Sequence, residues 1–368
     1  MKNRLNFSKI KKVFIIAEIG KNFIQTEKGQ SVGVYLANAK KLVDEAKRAG
    51  ADAVKFQTHS DDEQLNIRFT SPHFKQADRY SWIQRNIKAT PVDKFWKPLK
   101  DYCDKLGITF FSTPMSRGAA RTLQDLGVGI WKVGSGDILD FVMLDYLAGT
   151  GKPVIISSGM STLREIEMSV NFLKKRMSPE DIALLHCVSR YPCPVSSLRL
   201  GTIGFFKKRF GITIGFSDHS IESFEPVLAS IALGAKIVEK HFTLNRNFWG
   251  SDHKSSLMPD EFSKMTKEIR KAENKKDKLA GFLASAKNSG FLGKEEKFMQ
   301  PQEAKFRPIF RKTLVAAEDM KRGKTITADL IYAMRPQKFN GGLPSENYEK
   351  IIGKKLTRGV KKFQPFKF

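Results

Sequence analysis

Short apolar, β-branched stretches alternate along the chain with amphipathic ones. Eight of the former stand out, at residues 13–19, 53–58, 109–113, 130–134, 153–158, 182–188, 212–216 and 236–242. Near-continuous apolar character is what parallel strands need, because helices cover both faces of their sheet. Between them, residues 36–49, 93–106, 162–177 and 222–233 repeat their apolar side chains at helical spacing, and Gly50, Gly107 and Gly234 follow three of these segments. Glycine stops a helix there because it enters the left-handed conformation without steric cost. Eight strand–helix units in about 260 residues predict an α/β fold, the (β/α)8 TIM barrel. An open doubly wound sheet is the alternative, but its glycine-rich dinucleotide fingerprint does not follow the first strand.

The connection from Thr58 to Pro91 is too long for a plain loop and mixes aromatic and polar residues, among them His59, Pro72, His73, Phe74 and Trp82. It reads either as an ordered lid over one barrel end or as a surface excursion with a cluster of its own. Beyond residue 274 the periodicity gives way to a lysine-rich, glycine-punctuated segment. The expected division is a barrel over 1–280, a linker over 281–306 and a small second domain over 307–368. Strands and turns of that domain are expected at 312–317, 319–327 and 352–357.

Composition narrows the partners. A chain of 368 residues with 41% hydrophobic content can bury a substantial core. No apolar run reaches the roughly 20 residues that span a bilayer, and the basic start leads only into a short apolar run at 13–17, so the expectation is a cytoplasmic protein with no membrane partner. Three cysteines, Cys103, Cys187 and Cys193, cannot all pair and lack zinc-type spacing, which fits reduced thiols. The formal net charge of +26 admits nucleic acid, an acidic surface or small anionic substrates as partners. Its lysines are spread along the chain and interleaved with acids at helical spacing, as on a solvated helix face, and no nucleic-acid-binding motif is visible.

In a TIM barrel, chemistry gathers at the C-terminal ends of the strands. Here every strand ends in polar residues: Glu18; Lys55 and Gln57; Ser112 and Thr113; Lys132, Ser135 and Asp137; Ser157 and Ser158; His186, Ser189 and Tyr191; Ser217, Asp218 and His219; Glu239, Lys240 and His241. Two lysines, several hydroxyls and the backbone amides around Gly134-Ser-Gly136 suit an anion carrying a phosphate and a carboxylate. His219 and His241 each follow a β-branched run and read either as a divalent-metal pair or as two buried, hydrogen-bonded histidines. Glu18 and Asp137 are carboxylates available for acid–base work.

These residues fall in motifs that resemble the sialic acid synthases, the N-acetylneuraminate synthases with their legionaminic and pseudaminic acid relatives. The likeness runs through Ala17-Glu-Ile-Gly20, Lys55-Phe-Gln57, Phe111-Ser-Thr-Pro114, Lys132-Val-Gly-Ser-Gly-Asp137, Ser158-Gly-Met160, Leu185-His-Cys187, Gly215-Phe-Ser-Asp-His219, Glu239-Lys-His-Phe-Thr243 and Gly250-Ser-Asp-His253. The tail, with Met334-Arg-Pro336 and Gly353-Lys-Lys355, resembles that family's antifreeze-like, or SAF, domain. The resemblance implies condensation of phosphoenolpyruvate with N-acetylmannosamine or a related N-acylhexose, giving a nonulosonic acid and phosphate. It implies manganese or magnesium on His219 and His241. Lys55, Thr113, Lys132, Ser135 and Ser217 would hold phosphoenolpyruvate, Gln57, Tyr191 and Asp252 would contact the sugar, and Ser158 and Ser189 would also bind substrate. Glu18 and Asp137 would handle water and proton steps. Arg335 would arrive from the partner of a domain-swapped homodimer.

Three departures from the family pattern are visible. The first strand is followed by Lys21-Asn-Phe-Ile-Gln-Thr26 where the family has Asn-His-Asn-Gly or similar, so Phe23 replaces a histidine. Asp137 stands where many members carry glutamate, and Ser189 where some carry asparagine. Two other readings are a related synthase that joins phosphoenolpyruvate to a sugar phosphate, as in octulosonate or heptulosonate synthesis, and a non-catalytic binder of anionic polymers.

Overall fold

The structure, a computed structural model, describes residues 5–71 and 74–366; Pro72 and His73 lie outside the described residues. Eight parallel strands form one sheet: β1 (Phe14–Gly20), β2 (Ala53–Thr58), β3 (Thr109–Pro114), β4 (Trp131–Val133), β5 (Val154–Ser157), β6 (Ile182–Cys187), β7 (Thr213–Asp218) and β8 (Ile237–His241). Their order is β3-β2-β1-β8-β7-β6-β5-β4, and β3 lies against β4, so the sheet curls round into a TIM-like barrel. Helices cover its outer face. The first, α1 (Val32–Arg48), starts where the Ser31 hydroxyl accepts from the Val34 amide, and the helix Leu163–Lys174 starts at a capping box of Thr162 and Glu165.

Strand side chains alternate between the barrel interior and the helix layer, so every second residue points inward. The lower interior is apolar, built from Ile16, Ala53, Phe111, Ile130, Ile155, Ala183, Leu185 and Ile237, with Phe7 packed against it. Two residues further along each strand the interior turns polar, at Glu18, Lys55, Thr113, Lys132, Ser157, Cys187, Ser217 and Glu239. Register aligns part of this layer and staggers the rest: Glu18 pairs with Lys55 and Cys187 with Ser217, whereas Glu239 pairs with Ile16 and Lys132 with Ile155. The opposite parity sends Lys240 and Asp218 outward, where they form a fully buried ion pair, and turns His186 onto the Leu198 carbonyl, 2.7 Å away, and the Phe216 ring.

The long connection after β2 forms a short hairpin (Thr70–Ser71 with Phe74–Asp78) and a helix, α2 (Arg79–Ala89). Trp82 of α2 packs on Phe74 and Trp249 with ring centroids 5.2–5.3 Å apart. The same connection meets the small domain through Leu65, whose amide donates to the Arg335 carbonyl at 2.9 Å. It is therefore a cover on the barrel mouth.

The expected linker at 281–306 is not a free tether. Its first part completes the helix Lys276–Asn288, packed on the helix Glu225–Ala232. The remainder, with residues up to 312, straps across the barrel mouth. Glu303, fully buried, accepts from the amides of Met160 and Ser189, both at 2.8 Å. Arg307 pairs with Glu165 at 2.6 Å, and Arg311 donates to the carbonyls of Ser135 and Met160. Composition hid this, because a charged residue on a strap and one in a tether look alike until their partners are known.

In the small domain, β9 (Thr313–Ala316) pairs antiparallel with β10 (Ile331–Met334). Residues 319–327 and 352–357 contribute the isolated bridges Met320↔Val360 and Thr325↔Lys355. Arg117 ties this domain to the barrel by donating to the carbonyls of Ala328 and Ile331 at 2.7 and 2.8 Å. In the single chain described, the strap delivers the small domain onto the barrel mouth, and Arg335 enters the mouth of its own chain's barrel.

Candidate active site

A cavity of about 140 Å³ opens at the C-terminal rim of the barrel. The polar interior layer forms its floor, and loop, lid and small-domain residues form its walls. Of the residues singled out in the sequence, Glu18, Lys55, Gln57, Thr113, Lys132, Ser135, Asp137, Tyr191, Ser217, His219, His241, Asp252 and Arg335 all line it. Ser158 and Ser189 do not. Ser157 takes the lining position on β5, while Ser158 is fully buried beside it. Ser189 is buried behind Gly159, where an added Cβ would lie only 2.2 Å from its hydroxyl.

The floor is a charge network. Lys55 lies 2.6 Å from Glu18 and 3.7 Å from Glu239, and Lys132 lies 3.3 Å from Glu239. Lys55 also donates to the Thr113 hydroxyl at 3.1 Å and Lys132 to that of Ser157 at 2.8 Å. Burial raises both acids, because a low-dielectric site disfavours the ionised form. For Glu18 burial wins over the opposing Lys55 and carries the carboxyl up to about 7. For Glu239 the Lys132 and Lys55 ammonium groups outweigh burial and hold it down at about 2. With one firmly ionised carboxylate set among two lysines, the floor has cationic capacity left for an anion.

The two histidines stand together above it, with ring centroids 5.3 Å apart. His219 Nδ1 lies 2.8 Å from the Val188 carbonyl, which only accepts, so Nδ1 carries the proton and Nε2 keeps its lone pair. His241 Nδ1 is buried with no hydrogen-bond partner. Burial pushes His219 down to about 3 and His241 to about 4, so both are neutral imidazoles, the form that binds metal. Beyond this pair, no group of three or more His, Cys, Asp or Glu side chains forms a cation site among the described residues.

Gly20 explains how tightly the first strand meets the site. Its φ of +55° is one that glycine adopts without strain, and a Cβ there would come within 3.0–3.2 Å of Asp252, Gln57 and Glu18 side-chain atoms. Gln57 in turn donates to Glu18 at 2.8 Å.

The far wall contains residues that the strand pattern does not reveal: Lys21, His59, Arg79 and the strap residues Phe306 and Phe310. Behind it lies Glu63, fully buried, held by His59, by Arg79 at 3.1 Å and by Arg335 at 3.7 Å. The length of the connection after β2 hinted at His59, Glu63 and Arg79, and the altered segment after β1 at Lys21; nothing marked Phe306 and Phe310.

The model of the NeuB family matches residues 42–279, and that of the SAF domain matches residues 311–367. The chain belongs to the NeuB family. Among relatives of this NeuB-family chain, N,N'-diacetyllegionaminic acid synthase of Campylobacter jejuni is 33% identical, with 96% of this chain and 98% of that protein covered. Of solved structures, spore coat polysaccharide biosynthesis protein SpsE of Bacillus subtilis superposes with a TM-score of 0.77 at 30% identity, covering 97% and 94% of the two chains. The sialic acid synthetase of Leptospira borgpetersenii, solved with citrate, gives a TM-score of 0.61 at 31% identity over 76% and 90%.

Proposed function

We propose that this NeuB-family chain joins phosphoenolpyruvate to an N-acylhexose of the mannosamine type, with water consumed and a nonulosonic acid and phosphate formed. The observation that carries this reading is the meeting, in one cavity, of two lysine ammonium groups with two neutral imidazoles whose lone pairs are available. Lys55, Lys132, Thr113, Ser135, Ser157 and Ser217, which line the cavity, would hold the phosphate and carboxylate of phosphoenolpyruvate. Gln57, Tyr191 and Asp252 line the sugar side. His219 and His241 would hold a divalent metal, manganese or magnesium, which when bound polarises the sugar aldehyde. The Glu18 carboxyl, titrating near neutrality, is suited to pass a proton between water and the reacting carbons. Asp137, gripped by Lys312 and Arg335, faces the same space.

Exchange of the small domain between two copies would preserve every contact that Arg335 makes, so a swapped homodimer is part of the proposal and sedimentation velocity checks it. The catalytic reading is tested by phosphate release from phosphoenolpyruvate with manganese present. Release is expected only when an N-acylhexosamine is added, and His219→Ala and His241→Ala are each expected to abolish it with the melting temperature preserved. Full turnover in both variants would refute the metal role.

A further inference from the structure

The two imidazoles stand at the ends of β7 and β8, and a charged pair directly behind them takes no part in the cavity. Lys240 and Asp218 face each other across the ladder, one residue before His241 and His219. Both are fully buried, and neither lines the cavity. The Lys240 ammonium donates to the Asp218 carboxylate and to the Ser220 carbonyl. Asp218 in turn accepts from the Ser220 amide at 2.9 Å and from the Ser220 hydroxyl at 3.0 Å. From the residue next to His241, one ammonium thus grips the chain on both sides of His219.

The pair stands where the strand pattern calls for hydrocarbon. Two residues back on the same faces are Val238 and Phe216, both buried in the apolar core. Taking two charges out of water is costly, and apolar side chains of similar volume often fill such a position as stably. What the ion pair adds is one directional arrangement of β7 against β8 at the rung below the histidines. His241 has the greater need of it. His219 Nδ1 is tied to the Val188 carbonyl, whereas His241 Nδ1 has no hydrogen-bond partner, so the placement of that ring depends on the β8 backbone. A metal ion requires both lone pairs to converge on one point, and groups behind the ligands commonly set that geometry.

We propose that Lys240 and Asp218 are positioning residues that fix the spacing of His219 and His241 and so set the affinity for a divalent ion. This rests on the metal reading above and adds to it the part of the chain that holds the ligands in place. Neither residue reaches the cavity, so the pair acts only through the histidines.

The test is manganese binding to the full chain without substrates, read from the free-ion signal in electron paramagnetic resonance. Lys240→Met combined with Asp218→Asn removes both charges, keeps an acceptor for the Ser220 amide and leaves no uncompensated ion. This double variant is expected to bind manganese about tenfold more weakly or worse, as for loss of other groups behind metal ligands. Leu42→Ala, on the buried face of α1, lowers stability away from the site and is expected to bind within about twofold of wild type. Unchanged affinity in the double variant overturns the proposal, and so does an equal loss in Leu42→Ala. If the double variant fails to fold, Asp218→Asn alone decides: a loss of about threefold or more supports the proposal, and unchanged affinity overturns it. A wild type that takes up no manganese defeats the metal reading itself and this proposal with it, whereas binding that the substitutions leave intact defeats this proposal alone.

Discussion

Arg335 of the small domain donates to Asp137 of the barrel, and the Lys312 ammonium lies 2.9 Å from the same carboxylate oxygen. The appended domain thus supplies two cations to a carboxylate at the cavity wall, and both side chains are buried. Arg335→Ala is expected to lower kcat/KM for the sugar by about a hundredfold, in line with loss of a group that orients a reactant. The KM for phosphoenolpyruvate should change far less. Steady-state kinetics with each substrate varied in turn checks this; a loss confined to phosphoenolpyruvate would place Arg335 at the wrong end.

Lys132 is the second prediction. It is the floor lysine whose carboxylate partner, Glu239, is shared with Lys55. Lys132→Ala removes one charge-assisted contact to a bound anion and is expected to raise the KM for phosphoenolpyruvate about tenfold or more. An unchanged KM dismisses it as an anchor.

Glu303 acts at a distance. Its carboxylate on the strap accepts from the amides of Met160 and Ser189, and Ser135 Oγ accepts from the Gly159 amide at 3.1 Å within the same loop pair. The Met160 and Ser189 amides both meet Oε1 and the Gln300 amide meets Oε2, so Glu303→Gln, with its oxygen kept on the pair, sets a donor against the Gln300 amide. We expect a raised KM for phosphoenolpyruvate, a kcat within about threefold of wild type and a lower melting temperature. Equal losses in kcat and kcat/KM would argue for direct participation instead.

Glu63 gives a pH signature. Burial raises its carboxyl, but His59, Arg335 and Arg79 outweigh this and hold it far below the usual carboxylate range. A carboxylate depressed in the folded state adds stability above its unfolded pKa of about 4.3, and that stability drains away as pH falls. Glu63→Gln should therefore cost about 3–5 kcal/mol near pH 7, the range for breaking a buried ion pair. The gap to wild type should narrow progressively below about pH 4.3. Urea unfolding of both proteins at pH 7 and pH 3.5 measures it, and a gap that is constant or widens in acid contradicts the assignment.

Much of the fold was legible because a parallel barrel writes itself as apolar runs separated by glycine-stopped helices; residues 53–58, for example, were delimited from the sequence as the strand Ala53–Thr58. The floor was legible for a related reason, since Lys55 and Lys132 stand at strand ends. Parity was harder to read. Ser157 and Ser158, or Lys240 and His241, are neighbours of similar chemistry, and only the pleat decides which faces inward. The wall was harder to read: Lys21 sits on an irregular segment, and Arg79 and Glu303 stand in the first turns of helices inside long connections. The small domain lies between these extremes. Its β9 stood out as an apolar run, whereas β10, Ile331–Met334, is short and falls outside the expected segments.

The boundary inside the barrel, hydrocarbon beneath and charge above, ties heredity of shape to heredity of chemistry. A slip of β2 by a single position would turn the Lys55 ammonium toward the helix layer and bring Val54 or Phe56 into the reaction chamber. Mutations that loosen strand alignment would therefore be lost for inactivity before misfolding could remove them, so the chamber polices the scaffold that built it.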